Sequence, residues 1–214
     1  MKKTLESLEL KVGRQPPSGC LVVLHGRGTN GYDLVPIAQA LGFSGLRYIF
    51  PHAPFPVPGV FGGKAWYELP PYDREGILES RHLLFSLLEE LEREGVPSAQ
   101  IALMGFSQGA VMGLDVGTRY PRRLAGIIAL SGYLPFPEDL HSEKSVASLQ
   151  LPVLLVHGTE DPIVPLEGSR QAERILKEEG FSVRLLEYPM GHEVIPQEIE
   201  EIRKFLLSLF PGSL

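Results

Sequence analysis

The stretch at residues 101–110, Ile-Ala-Leu-Met-Gly-Phe-Ser-Gln-Gly-Ala, restricts the fold of this chain more than any other. A short apolar run meets Gly105-Phe106-Ser107-Gln108-Gly109, and a segment able to continue as a helix follows. Gly-x-Ser-x-Gly in that setting describes a sharp strand-to-helix turn that lifts a serine hydroxyl above the sheet edge. The turn asks for φ > 0 at Ser107, a strained position for a residue with a Cβ. Gly105 and Gly109 remove side chains where the strand and the helix would otherwise collide. Two glycines around a serine also occur by chance, so the rest of the chain has to supply the context.

It supplies more strands. Residues 20–24 form a continuous apolar run, as expected of a strand covered on both faces. Residues 46–50, 124–130, 153–156 and 182–187 read as further strands, and residues 4–12 alternate loosely (Leu5, Leu8, Leu10, Val12) as an edge strand would. Gln15-Pro16-Pro17-Ser18-Gly19 is a turn signal. Helical patterns run through Leu34, Ile37, Ala38 and Leu41, across residues 75–94 with a leucine face stopped by Gly95 and Pro97, and from Ser107 to Tyr120-Pro121. Two more cover residues 166–179 and a segment from Pro196 with Ile199, Ile202, Phe205, Leu206 and Leu209 on one stripe. Apolar strands separated by helices predict an α/β fold, with a mostly parallel central sheet and helices on both faces. No repeat or interdomain linker is visible, so residues 1–214 are expected to form a single domain.

Two segments stand outside that alternation. Residues 132–151 form a linker of mixed composition, too short for a large helical cap. Residues 51–75 hold six prolines, with Phe55, Phe61, Trp66, Tyr67 and Tyr72 among them. A loop of that length is usually functional or partly structured. It reads either as one wall of a binding site or as a surface excursion with its own aromatic cluster.

Charge and cysteine content narrow the class of partner. A formal net charge of −6 argues against a nucleic-acid-binding surface and suits an acidic, solvated exterior. A single cysteine, Cys20, permits no intrachain disulfide and is expected in the core. Two N-terminal lysines precede no apolar segment of a signal peptide, and no run approaches the ~20 residues that span a bilayer. A soluble, cytoplasmic protein is expected, with no membrane span and with room for a homodimer.

The chemistry emerges downstream of Ser107. The strand at 153–156 runs into His157-Gly158-Thr159-Glu160-Asp161-Pro162, and the next leads to Gly191-His192. Ser107, Asp161 and His192 therefore all lie past carboxyl ends of strands, where open α/β sheets build their sites, in the order serine, acid, histidine. A serine hydroxyl needs a base within hydrogen-bond reach. His192 would take the proton and return it to the leaving group, while Asp161 fixes its tautomer; activity is expected to fall as His192 becomes protonated. Glu160 is the competing acid and suits a solvated loop position better. His157 is expected to be packed or hydrogen-bonded, and His82 and His141 have no motif around them. The carbonyl oxygen needs two prearranged donors. One is the backbone N–H of Gln108, and the second is expected from the His25-Gly26-Arg27-Gly28 loop, at Arg27.

That loop has a rival interpretation, because Gly26-x-Gly28-x-x-Gly31 also matches a dinucleotide fingerprint. The fingerprint wants an acidic residue about 20 positions on. Here the following strand ends Tyr48-Ile49-Phe50-Pro51-His52, without a carboxylate. The six histidines form no paired ligand spacing. Neither a cofactor nor a metal is expected.

Taken together, the sequence resembles the phospholipase/carboxylesterase family of α/β-hydrolases, which includes small bacterial carboxylesterases and acyl-protein thioesterases. The resemblance rests on Leu24-His25-Gly26-Arg27-Gly28-Thr29-Asn30 with Asp33-Leu34 and Pro36, then Pro51-His52-Ala53-Pro54 and Ala65-Trp66-Tyr67. It continues through Gly105-Phe106-Ser107-Gln108-Gly109, Leu130-Ser131-Gly132-Tyr133-Leu134-Pro135, His157-Gly158-Thr159-Glu160-Asp161-Pro162 and Gly191-His192. It implies an α/β-hydrolase fold without a large cap, a Ser107–Asp161–His192 triad, and an oxyanion hole at the N–H groups of Arg27 and Gln108. It further implies that Trp66 and Leu134 border the acyl site. Many members carry a small apolar residue where Arg27 stands. The expected activity is a cofactor-free serine esterase acting on small carboxyl esters or thioesters of short to medium chain length. A catalytically silent binding module on the same fold is the alternative.

Overall fold

The computed structural model describes residues 4–11, 17–69 and 73–213. Its strands are β1 (Ser7–Lys11), β2 (Gly19–Leu24), β3 (Leu46–Pro51), β4 (Phe55–Pro56), β5 (Lys64–Ala65), β6 (Ile101–Phe106), β7 (Gly126–Leu130), β8 (Pro152–Gly158) and β9 (Ser182–Tyr188). Its helices are α1 (Val35–Leu41), α2 (Arg74–Arg93), α3 (Gln108–Arg119), α4 (Leu140–Glu143), α5 (Leu166–Glu178) and α6 (Pro196–Leu209). Seven strands form one sheet in the order β1-β3-β2-β6-β7-β8-β9, parallel except for β1, which runs antiparallel to β3 at one edge.

The apolar runs are continuous because both faces of the central strands are covered. Along β2, Cys20, Val22 and Leu24 join the core shared with α2, α3 and α5. The alternate residues Leu21 and Val23 join the core shared with α1 and α6. β6 divides the same way, Ile101 and Leu103 to one side and Ala102 and Met104 to the other. Edge strands β1 and β9 show no such double burial, and their residues alternate or stay half-exposed. Cys20 is fully buried, and burial pushes its thiol up to about 12.

Several boundaries depart from expectation. β7 begins at Gly126, so Leu124 and Ala125 lead into it. β8 extends through His157 and Gly158, which pair in register with Glu187 and Tyr188 of β9. Residues 132–151 contain the single turn of α4, and the aromatic segment after β3 contains the β4–β5 hairpin. Val12, Gln15, Pro16 and Tyr72 lie outside the described residues. Among the described residues no helix is long and apolar enough to cross a membrane.

Candidate active site

β6 lies between β2 and β7, so its carboxyl end is surrounded by backbone. The chain reverses there at Ser107, with φ 56° and ψ −120°, the left-handed backbone anticipated for the elbow. A Cβ at Gly105 would lie 2.1 Å from the carbonyl oxygen of Gly109, and one at Gly109 would lie 2.0 Å from that of Leu24. No side chain fits at either place. Immediately after the turn, the first residues of α3 leave their N–H groups without helical carbonyls.

The loop from β2 rests on this elbow. A Cβ at Gly26 would stand 3.4 Å from that of Ser107. His25 is buried and fixes the loop's path: its Nε2 accepts from Ala53 N–H at 3.0 Å, so its Nδ1–H donates to the Gly26 carbonyl at 2.7 Å. Burial pulls the His25 pKa down to about 4, so the ring is neutral and adds no charge beside the loop. Thr29 Oγ1 also donates to the Gly26 carbonyl, and Gly28 N–H donates to Lys64 O of β5. Thus held, the N–H groups of Arg27 and Gln108 donate to no described residue. The Arg27 guanidinium reaches Glu68 Oε2 at 3.3 Å, on the rim.

The acid and the histidine come from the loops after β8 and β9. Asp161 Oδ2 accepts from His192 Nδ1 at 2.7 Å, and Oδ1 accepts the backbone N–H groups of Ile163 and Val164 at 2.8 and 2.9 Å. The carboxylate is wholly buried. Burial raises its pKa, but the hydrogen bonds from His192, Val164 and Ile163 outweigh that and hold it below the usual carboxylate range. With Nδ1–H given to Asp161, the Nε2 of neutral His192 is left as a proton acceptor. The Phe106 ring packs against the imidazole with centroids 4.7 Å apart. Glu160, the competing acid, is exposed.

Ser107, Gln108, Arg27 and His192 line one cavity of about 780 Å³. Among the described residues Ser107 Oγ forms no hydrogen bond, so imidazole and hydroxyl share the cavity without a closed contact. Such bonds commonly tighten only when substrate is bound. Away from Ser107 the walls are apolar, with Leu134, Phe136, Ile163, Ala172 and Ile175.

Trp66 is placed differently from expectation. It does not line the cavity but is fully buried, its indole Nε1–H donating to the His25 carbonyl at 2.8 Å. It braces the loop that carries Arg27, whereas its neighbour Tyr67 lines the cavity. The segment after β3 therefore supplies one wall of the cavity through Tyr67, with Trp66 buried behind it and Phe61 fully exposed. Sequence reasoning missed two of its fastenings. The Gln108 side chain accepts from Trp66 N–H at 3.0 Å and donates to Tyr67 O at 2.8 Å, and Tyr67 Oη meets Tyr133 Oη at 2.9 Å. In the rival dinucleotide pattern Gly28 supplies a positive φ of 84° with open space where a Cβ would stand, and Gly31 serves packing. A Cβ at Gly31 would stand 2.5 Å from Phe50 O, and the loop opens into a short 3-10 turn rather than a helix that could face a pyrophosphate. Among the described residues no group of three or more His, Cys, Asp or Glu could hold a metal.

Comparison with known proteins agrees with this geometry. A family model described as Phospholipase/Carboxylesterase matches residues 5–209. Acyl-protein thioesterase 1 of Schizosaccharomyces pombe is 39% identical over 155 residues, covering 68% of this chain and 69% of the relative. Carboxylesterase SOBER1 of Arabidopsis thaliana is 29% identical over 205 residues, covering 89% and 90%. The crystal structure of esterase PE8 superposes with a TM-score of 0.89 at 32% identity, over 97% of this chain and all of the other.

Proposed function

The chain belongs to the phospholipase/carboxylesterase family and is a hydrolase of ester or thioester bonds; on that premise we propose that Ser107, His192 and Asp161 carry the reaction through an acyl-enzyme. His192 Nε2 takes the Ser107 proton as Oγ bonds to the substrate carbonyl carbon. The carbonyl electron pair moves onto oxygen, which the N–H groups of Arg27 and Gln108 receive; losing one such donor typically costs ~10²–10³ in rate. Collapse breaks the bond to the alcohol or thiol, which leaves with the proton from His192. Water then repeats the sequence and frees the acid. Asp161 stays ionised throughout, orienting the ring and stabilising its charged form. The observation that carries this reading is the Asp161–His192 hydrogen bond at 2.7 Å, with His192 lining a cavity that Ser107 also lines.

The substrates are proposed to be short- to medium-chain carboxyl esters, with thioesters as the second class, in a cavity of ordinary size for a small ligand. A series of aryl esters from acetyl to long-chain acyl tests this. The expected kcat/KM peaks at intermediate length, and a preference for long-chain triglycerides would contradict it. The same cavity treated as a silent binding pocket would leave Ser107 inert to a fluorophosphonate probe. The protein is proposed to work in the cytoplasm, where its lone buried thiol faces no oxidising demand.

A further inference from the structure

A second buried histidine touches the catalytic carboxylate, and the reaction described above leaves it idle. His157 is the penultimate residue of β8 and has no exposed surface. Each ring nitrogen faces an oxygen. Nδ1 is 2.7 Å from Ser169 Oγ, which itself reaches the Gly132 carbonyl at 2.8 Å. Nε2 is 2.9 Å from the Val164 carbonyl oxygen and 3.4 Å from Asp161 Oδ2. A carbonyl and an ionised carboxylate can only accept, so Nε2 carries hydrogen whichever way the Ser169 hydroxyl turns.

We propose that His157 is a positioning residue for Asp161, its Nε2–H locking the turn that aims the carboxylate at His192. The lock is a closed circuit. Val164 gives its N–H to Asp161 Oδ1 at 2.9 Å and offers its carbonyl to His157. Asp161 Oδ2 takes His192 Nδ1 at 2.7 Å on one side and faces His157 at 3.4 Å on the other. Ser169, near the start of α5, has one hydroxyl hydrogen, which it gives either to His157 Nδ1 or to the carbonyl of Gly132, next to the cavity residue Tyr133. A carboxylate on a loop would otherwise swing about its own χ angles, and small misplacements of catalytic groups are costly in rate.

This role rests on the proposed triad, so the test separates the two. A long-range ¹H–¹⁵N spectrum of the imidazoles in the unmodified protein is expected to show hydrogen on His157 Nε2 at neutral pH; a bare Nε2 overturns the inference. In steady-state assays His157→Phe is expected to lose about tenfold in kcat with KM little changed, because orientation and not binding is lost. His157→Gln, whose amide N–H can stand in for Nε2–H, is expected to return to within about threefold of the parent. A His157→Phe enzyme with full kcat, or a Gln variant as slow as the Phe variant, contradicts the role. If the Phe variant does not fold, the nitrogen spectrum and the Gln variant decide. Asp161→Ala is the control: full activity there would sink the triad itself, whereas an inactive Asp161→Ala beside an unimpaired His157→Phe would sink only the positioning role.

Discussion

The two halves of the candidate active site are held by different forces. Ser107 is fixed by backbone packed against backbone in the middle of the sheet, where Gly105 and Gly109 leave no room for another carbon. Asp161 and His192 stand on loops after β8 and β9, toward the sheet edge, and are fixed by side-chain hydrogen bonds. Steric exclusion is all-or-none, because protein interiors are close-packed. Hydrogen bonds are graded, each contributing roughly 0.5–1.5 kcal/mol, or more when charged. The nucleophile half should therefore fail by losing the fold, and the acid–histidine half by losing rate while the fold survives.

The largest expected effect lies on the second half. His192→Ala should lower kcat by about 10⁶, and Asp161→Asn by about 10⁴, with thermal melts close to the parent's. Loss of the cooperative melt in either variant would erase the contrast. Gly109→Ala should do the reverse: its Cβ would stand 2.0 Å from the Leu24 carbonyl oxygen. The expected cost is above ~4 kcal/mol in a urea titration, the range reserved for overpacked or strained sites. A stable, active Gly109→Ala enzyme would show that the elbow yields.

A smaller effect sharpens the picture of the histidine loop. Glu198 lies in the first turn of α6, six residues after His192, and is fully buried. Its Oε2 accepts the Ile195 N–H at 2.8 Å, while Oε1 has no partner among the described residues. Burial, with help from Glu193, raises its pKa from 4.5 to about 7. A raised carboxyl binds its proton more tightly in the folded state. The associated stability is complete below pH 4.5 and is lost as pH climbs through about 7. Urea titrations at acid and alkaline pH should show the parent losing on the order of 3 kcal/mol across that window and Glu198→Gln losing less. Equal pH dependence in both proteins would assign the loss elsewhere.

The same division explains which features are legible in the amino-acid sequence. Backbone demands leave marks in one dimension: glycines at 105 and 109, a positive-φ serine between them, and unbroken apolar runs for doubly covered strands such as β2. The order of Ser107, Asp161 and His192 at strand ends was equally legible. Long-range pairs between side chains leave no such mark. Nothing periodic links Gln108 to Trp66 and Tyr67, or Tyr67 to Tyr133 across 66 positions. The family resemblance implies Trp66 at the acyl site, yet its ring turns away from the cavity that Tyr67 lines. A side chain's inward or outward turn within an irregular segment is decided by partners elsewhere, here the His25 carbonyl. The sequence leaves His157 either packed or hydrogen-bonded; its reach to Asp161 depends on β8 running two residues further than its apolar core.

The most direct test of the whole account is to trap the acyl-enzyme. Acid quenching during turnover of a slow aryl ester, followed by peptide mass mapping, should find the acyl group on Ser107 alone, and none in His192→Ala. Turnover at the parent's rate with Ser107 unmodified, or an acyl group carried on another residue, would contradict it.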